Sequence, residues 1–348
     1  MDPVTHAIFG ALSANLLPFA RKHRSLWALA SIAAVSPDLD LMIPYRIIPF
    51  EAESAIHRLY THTLICVPFM ALFLAWAFKY LLRKETLCRS SRYLLALTGL
   101  CSHLFLDFFT IASIPLLWPW TSSFFSLGLC NNLDPLFSGL IFFTLLCLLK
   151  DKSRFAFLGG LLSLCYGILA EVQYERADYF QQQLCLQRHH NPARRCVFPS
   201  PFNILLWRSL YEREGYYYVD GFCIGSSLTS YRGGKFLKAR LEDISSYKGT
   251  HFYEMVAYFF RKSMDYVGVT EGRNYVDLHH CLFLPYKNSP RHVLCLGKTP
   301  SGDPMVIPQK EKSHLKDLIP KDGVDLLKLL LGDTPDEEAS VKDQKRAP

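Results

Sequence analysis

The amino-terminal half of the chain is a series of apolar runs divided by short basic connectors, and this pattern constrains the fold most. Runs at 63–82, 93–114, 133–149 and 155–170 each approach the roughly 17–25 residues that cross a bilayer as a helix. Two shorter runs precede them, 7–20 and 26–35, which are marginal for spanning and fit tilted or partly inserted helices. Within lipid every backbone amide must find its partner inside the protein, so these runs are read as helices, about six in all. Charge supports the division: of 38 Lys and Arg only thirteen fall in residues 1–171, and of 31 Asp and Glu only ten do. The net charge of +7 is read as a topology signal rather than a nucleic-acid footprint, and no nucleic-acid partner is expected. No basic stretch precedes the first apolar run, where Asp2 and His6 stand instead, so a cleavable signal is not expected.

Orientation follows from the connectors. Arg21-Lys22-His23-Arg24, the stretch 83–92 with Lys84 and Arg89, and the stretch 150–154 with Lys152 are basic, whereas 113–132 holds no Lys or Arg and 38–60 only Arg46 and Arg58. The basic loops alternate with the others, which places both the N-terminus and the large C-terminal segment outside the cytoplasm. In a Gram-negative cell that is the periplasm.

From Tyr174 onward no run is long and apolar enough to span. Tyr216-Tyr217-Tyr218-Val219 has the aromatic and β-branched composition of a strand. The expected fold is therefore an all-α polytopic membrane domain over 1–172, followed by a smaller α+β or β-rich soluble domain over 173–308. Residues 309–348, rich in Lys, Asp, Glu and Pro, are expected to form a short helix at 326–331 and a disordered tail. Five of the eleven cysteines, Cys185, Cys196, Cys223, Cys281 and Cys295, lie in the outer segment, where disulfides persist. Cys185 and Cys196 are close enough in sequence to close a small loop, and an odd count leaves at least one thiol free.

Against this apolar background stands a short set of ionisable residues: His6, Asp38, Asp40, His57, Arg58, His62, His103, Asp107 and Asp134. Such side chains are costly in a membrane segment unless paired, and they mark function by default. His103 and Asp107, four residues apart, project from one helical face and can chelate a metal or form a structural hydrogen bond. Asp38 and Asp40 form a DxD pair at the end of the second run, read as cation ligands or as a solvated turn. His57 and His62 are five apart, so one ring must sit on a loop or turn before the helix. The inferred topology brings His6, Asp38, Asp40, His57, His62 and Asp134 to outward helix ends. Imidazole with carboxylate suits Zn²⁺, with Mn²⁺ as the alternative divalent ion. His103 is harder to place: at 1.5 Å per residue it lies about 16 Å from Arg92, near mid-membrane, which calls for a tilted helix or a cavity open to the outside. The same cluster could instead carry ions or protons, or brace a scaffold whose outer domain binds a partner, although the sequence holds no repeated half of the kind transporters use. His189, His190, His251, His279, His280, His292 and His314 have no paired carboxylate or helical spacing and are read as surface residues.

At these residues the sequence resembles the YdjM-like inner-membrane metal-dependent hydrolases. The shared pattern is Met1-Asp2-Pro3-Val4-Thr5-His6, Ser36-Pro37-Asp38-Leu39-Asp40, His57-Arg58 with Thr61-His62-Thr63, and Ser102-His103 with Leu106-Asp107. Leu117-Trp118-Pro119-Trp120 and Asp134-Pro135-Leu136-Phe137 look like the family's outer loop and following helix. Pro201-Phe202-Asn203, Leu206-Trp207-Arg208 and Glu214-Gly215-Tyr216-Tyr217 resemble the extracytoplasmic domain of longer members. Leu59 stands where Gly is usual and Thr63 where Ser is common. The resemblance implies a bacterial inner-membrane, multi-pass hydrolase, more broadly similar to the zinc-dependent phospholipase C and P1-nuclease group. Its metal ligands would be His6, Asp38, Asp40, His57, His62, His103 and Asp107. Asp40 or Asp38 would orient or deprotonate water, Arg58 would neutralise a phosphate, and a membrane lipid or lipid-linked phosphoester would be the substrate.

Overall fold

The structure, a computed structural model, describes residues 1–21, 23–42, 60–81, 87–111, 113–225, 228–231, 234–269, 275–278, 293–298 and 304–307. Six helices form its amino-terminal part: α1 (Pro3–Ala14), α2 (Arg24–Val35), α3 (Cys66–Leu81), α4 (Arg89–Phe109), α5 (Pro135–Leu149) and α6 (Ser153–Gln187). A 3-10 helix, Ser36–Met42, continues directly from α2. Local chemistry sets the starts of α1 and α5 in the same way. Asp2 accepts from the Thr5 amide and Asp134 from the Phe137 amide, each with proline in the first turn, where its missing N–H leaves nothing unpaired.

Helix α6 is long and apolar enough to cross a membrane alone, while α3 and α5 are apolar but shorter, at 16 and 15 residues. Phe69, Phe73 and Trp76 on α3, Phe142 and Phe143 on α5, and Phe157 and Leu164 on α6 face outward, an apolar exterior unlike that of a soluble bundle. Helix α4 ends at Phe109 rather than near Ile114. His103 therefore stands six residues from its end, about 9 Å along the axis.

Close helix approach positions the inner faces. A methyl at Gly10 would stand 2.5 Å from Ala34 Cβ and 2.7 Å from the Ala30 carbonyl oxygen, and one at Gly99 2.5 Å from that same oxygen. Helix α2 thus passes between α1 and α4 over Ala30, Ala33 and Ala34, all fully buried, at a separation only glycine allows.

Helix α6 runs through residue 172 without a break, so the change of composition there is not a change of secondary structure. Its last turns rest on an antiparallel sheet of nine strands: β1 (Arg194–Pro199), β2 (Leu206–Arg213), β3 (Tyr216–Ile224), β4 (Leu228–Tyr231), β5 (Lys235–Lys238), β6 (Val267–Val269), β7 (Tyr275–Asp277), β8 (Val293–Lys298) and β9 (Pro304–Ile307). The strand order is β1-β2-β3-β5-β6-β7-β8-β9, with β4 also on β3, and α7 (His251–Lys262) is inserted between β5 and β6. One sheet face meets α6. Val197, Trp207 and Phe222 pack on Ala177, and Gln181 Nε2 donates to the Cys196 and Leu210 carbonyls and to Ser209 Oγ.

Cys185, Cys196 and Cys223 are free thiols. The short loop that Cys185 and Cys196 could close does not form, because the sheet separates them. Cys185 is buried on α6, whereas Cys196 shares the opposite sheet face with Leu210, where burial pushes its thiol up to about 12. Cys281, the segment 309–348 and its expected helix lie outside the described residues.

Candidate metal centre

Five of the sequence-expected residues come together. His6 is on the second turn of α1, Asp38 on the 3-10 helix, His62 in the turn before α3, and His103 and Asp107 on the last turns of α4. All except Asp38, at 8% exposure, are fully buried. His62 Nε2 lies 2.9 Å from His103 Nε2, 3.3 Å from Asp38 Oδ1 and 3.4 Å from Asp107 Oδ2. His103 Nε2 lies 3.7 Å from Asp38 Oδ1 and 3.6 Å from Asp107 Oδ2. Zn²⁺ held by nitrogen and oxygen at about 2.0–2.1 Å has tetrahedral edges of about 3.4 Å. These five separations scatter around that value.

Hydrogen bonding fixes which atoms face inward. His103 Nδ1 is 2.7 Å from the Ala34 carbonyl, so it carries the proton and leaves Nε2 with a lone pair. Thr61 Oγ1 gives its hydrogen to Asp40 Oδ2 at 2.8 Å and therefore accepts from His62 Nδ1 at 2.9 Å, so His62 Nε2 is a lone pair as well. Two imidazole lone pairs and two carboxylate oxygens then converge in a buried space. A proton can bridge only one of these edges, whereas a divalent cation bonds several donors at once, so each trio of donors fits a metal. The His-carbonyl and His-Thr-Asp contacts are the supports that orient such ligands.

His6 stacks on the His103 ring at 3.9 Å, and its Nε2 is 3.2 Å from Asp107 Oδ1, which also contacts the Met1 amino group. Neither ring nitrogen of His6 has a hydrogen bond among the described residues. His6, Asp38 and His103 make a second trio whose ligand atoms lie within 4.8 Å of one another, alongside His62, His103 and Asp107.

Other expected residues sit elsewhere. Asp40 joins neither trio; it stands two hydrogen bonds behind His62, through Thr61. Asp134 caps α5 and accepts from the Tyr166 hydroxyl at 2.5 Å, which is a structural bond. His57 and Arg58 lie outside the described residues. His189 is exposed and His190 bonds Tyr211 at 2.9 Å. The residue reading missed Thr61, whose role needs Asp40 and His62 in place, and the Ala34 carbonyl, which no side chain announces.

A family model described as the YdjM inner membrane protein matches residues 1–177. The chain belongs to the YdjM inner membrane protein family. No curated protein and no solved structure matches it. The YdjM match takes in all five clustered residues and ends at Ala177, ten residues before α6 does. The sheet therefore stands beyond the YdjM match, joined to it by a continuous helix.

Proposed function

We propose that this YdjM-family protein is a membrane-bound, metal-dependent hydrolase acting on a phosphoester of a membrane lipid or lipid-linked substrate, with its site at the outer side of a multi-pass helical domain and its sheet domain outside the cytoplasm. The observation that carries the reading is the convergence of His62 Nε2 and His103 Nε2 with carboxylate oxygens of Asp38 and Asp107 at 2.9–3.7 Å, with His6 beside them. These residues would hold Zn²⁺, or Mn²⁺ in its place. An ion bound there supplies Lewis-acid chemistry: it polarises a phosphoryl oxygen and makes water a nucleophile near neutral pH. Asp40, half-buried and tied to His62 through Thr61, would take a proton from the attacking water in this reading. Arg58, next to the His57 motif, would neutralise the substrate's charge. The outward-facing apolar side chains of α3, α5 and α6 support a lipid setting.

The test is direct. Protein purified in detergent should carry one or more equivalents of a divalent transition metal and release phosphate or a phosphorylated head group from a panel of membrane lipids. Activity should vanish with chelator and return with Zn²⁺ or Mn²⁺. His103→Ala with Asp107→Ala should strip the metal. Asp40→Asn should lower turnover more than substrate affinity, and Arg58→Ala the reverse. Full metal occupancy with no hydrolysis across the panel would leave a metal-braced scaffold.

A further inference from the structure

Arg208 lies on β2, next to the edge strand β1, and is only 5% exposed. Its Nη1 has no hydrogen-bond partner, and among the described residues its guanidinium has neither an ion pair nor a hydrogen bond. Buried guanidinium groups are ordinarily paired, because a lone cation loses its hydration on burial with nothing to replace it. An arginine serving the sheet alone would be expected to show its carboxylate, as Arg188 does with Asp220 at 2.6 Å.

Its position explains the exception. Arg208 pairs in register with Phe198 on one side and with Gly221, which has no side chain, on the other, and lies on the sheet face turned away from α6. That face packs on the loop that follows α4, four residues beyond Asp107. Ile111 packs with Phe198 and Leu210, which flank Arg208, and Ile204, at the entry to β2, packs with Leu106 and Met1. Ser200, whose backbone amide donates to the Leu206 carbonyl, is 2% exposed, and its hydroxyl also lacks a partner. An unpaired cation and an unpaired hydroxyl thus lie beside the cluster that joins the sheet to the loop following the metal-site helix.

We propose that Arg208 binds the phosphoryl group of the substrate, with Ser200 as a second donor, so that the outer sheet completes a site whose metal ligands lie in the helices. This rests on the function proposed above and adds a binding residue to it. A guanidinium fork matches a phosphoryl oxygen pair as no other side chain does.

The test is titration calorimetry of the full chain in detergent with inorganic phosphate, and separately with a short-chain phosphatidate, for wild type, Arg208→Lys and Arg208→Met. Metal content and lipid hydrolysis are measured on the same samples. Arg208→Met should weaken phosphate binding about tenfold or more, with the metal retained and thermal stability equal or higher, since an unpaired buried charge is gone. Arg208→Lys should fall between. Tighter binding of phosphatidate than of phosphate assigns the anion to a lipid head group, and equal binding to a free phosphate. Phosphate affinity unchanged in Arg208→Met overturns the inference even if hydrolysis is found. Absent hydrolysis with Arg208-dependent binding intact overturns the hydrolase reading and leaves the anion site standing.

Discussion

His103 has one ring nitrogen bound to the Ala34 carbonyl, so only Nε2 faces the cluster and it can serve a single ion. His62 is held in the matching tautomer by Thr61, whose hydroxyl is itself directed by Asp40. Thr61→Val keeps the shape and removes the relay, and should weaken metal affinity about 10–100-fold in a chelator competition, with Thr61→Ser restoring most of it. Asp134 makes the opposite case. Its bonds go to the α5 amide and to Tyr166, so Tyr166→Phe should cost about 1 kcal/mol in thermal unfolding and leave metal content unchanged. Loss of metal in that variant would return Asp134 to the ligand set.

The helices place these residues through their small faces. Gly10 lies one turn beyond His6 and Gly99 one turn before His103, and both rest on the same stretch of α2, whose Ala34 carbonyl holds the His103 ring. A Cβ at Gly99 would meet the Ala30 carbonyl at 2.5 Å, backbone that cannot rotate away. Gly99→Ala should therefore destabilise by about 1–3 kcal/mol and lower metal content, because α4 must withdraw from α2 and take His103 with it. Gly160, inside α6 with open space around it, is the control: Gly160→Ala should leave the metal unchanged and the melting temperature equal or slightly higher, by helix propensity. At this scale the sequence was legible in part. Apolar runs located all six helices, but the end of α4 fell earlier than its apolar run, since apolarity continues into the loop where Ile111 and Ile114 pack.

For the whole molecule, α6 is the connection. Among the described helices it is the one both long and apolar enough to cross a membrane, and it ends docked to the sheet through Gln173, Gln181 and Arg188. If the basic connectors lie in the cytoplasm, reporter fusions after Lys152 should read cytoplasmic and fusions after Ser123 or Ser246 should read outside. A cytoplasmic signal at Ser246 would place both the sheet and the loop after α4 that packs on it on the other side.

Apolar periodicity and the ordered His and Asp motifs were enough to locate the helices, to predict strands after residue 195 and to select the residues that cluster. These are local signals: hydrophobicity fixes which segments leave water, and an ionisable residue within them needs a reason to be there. Which of those residues meet was decided only by packing. Glycine contacts between α1, α2 and α4 bring His6 and His103 together, while Asp134 is spent on a helix cap and Asp40 stands behind a threonine. The same holds for the thiols on opposite sheet faces and for the buried cation of Arg208, whose strand gives no sign that its neighbours lack a carboxylate. Partners distant in sequence decide such roles, and the order of residues along the chain does not record them.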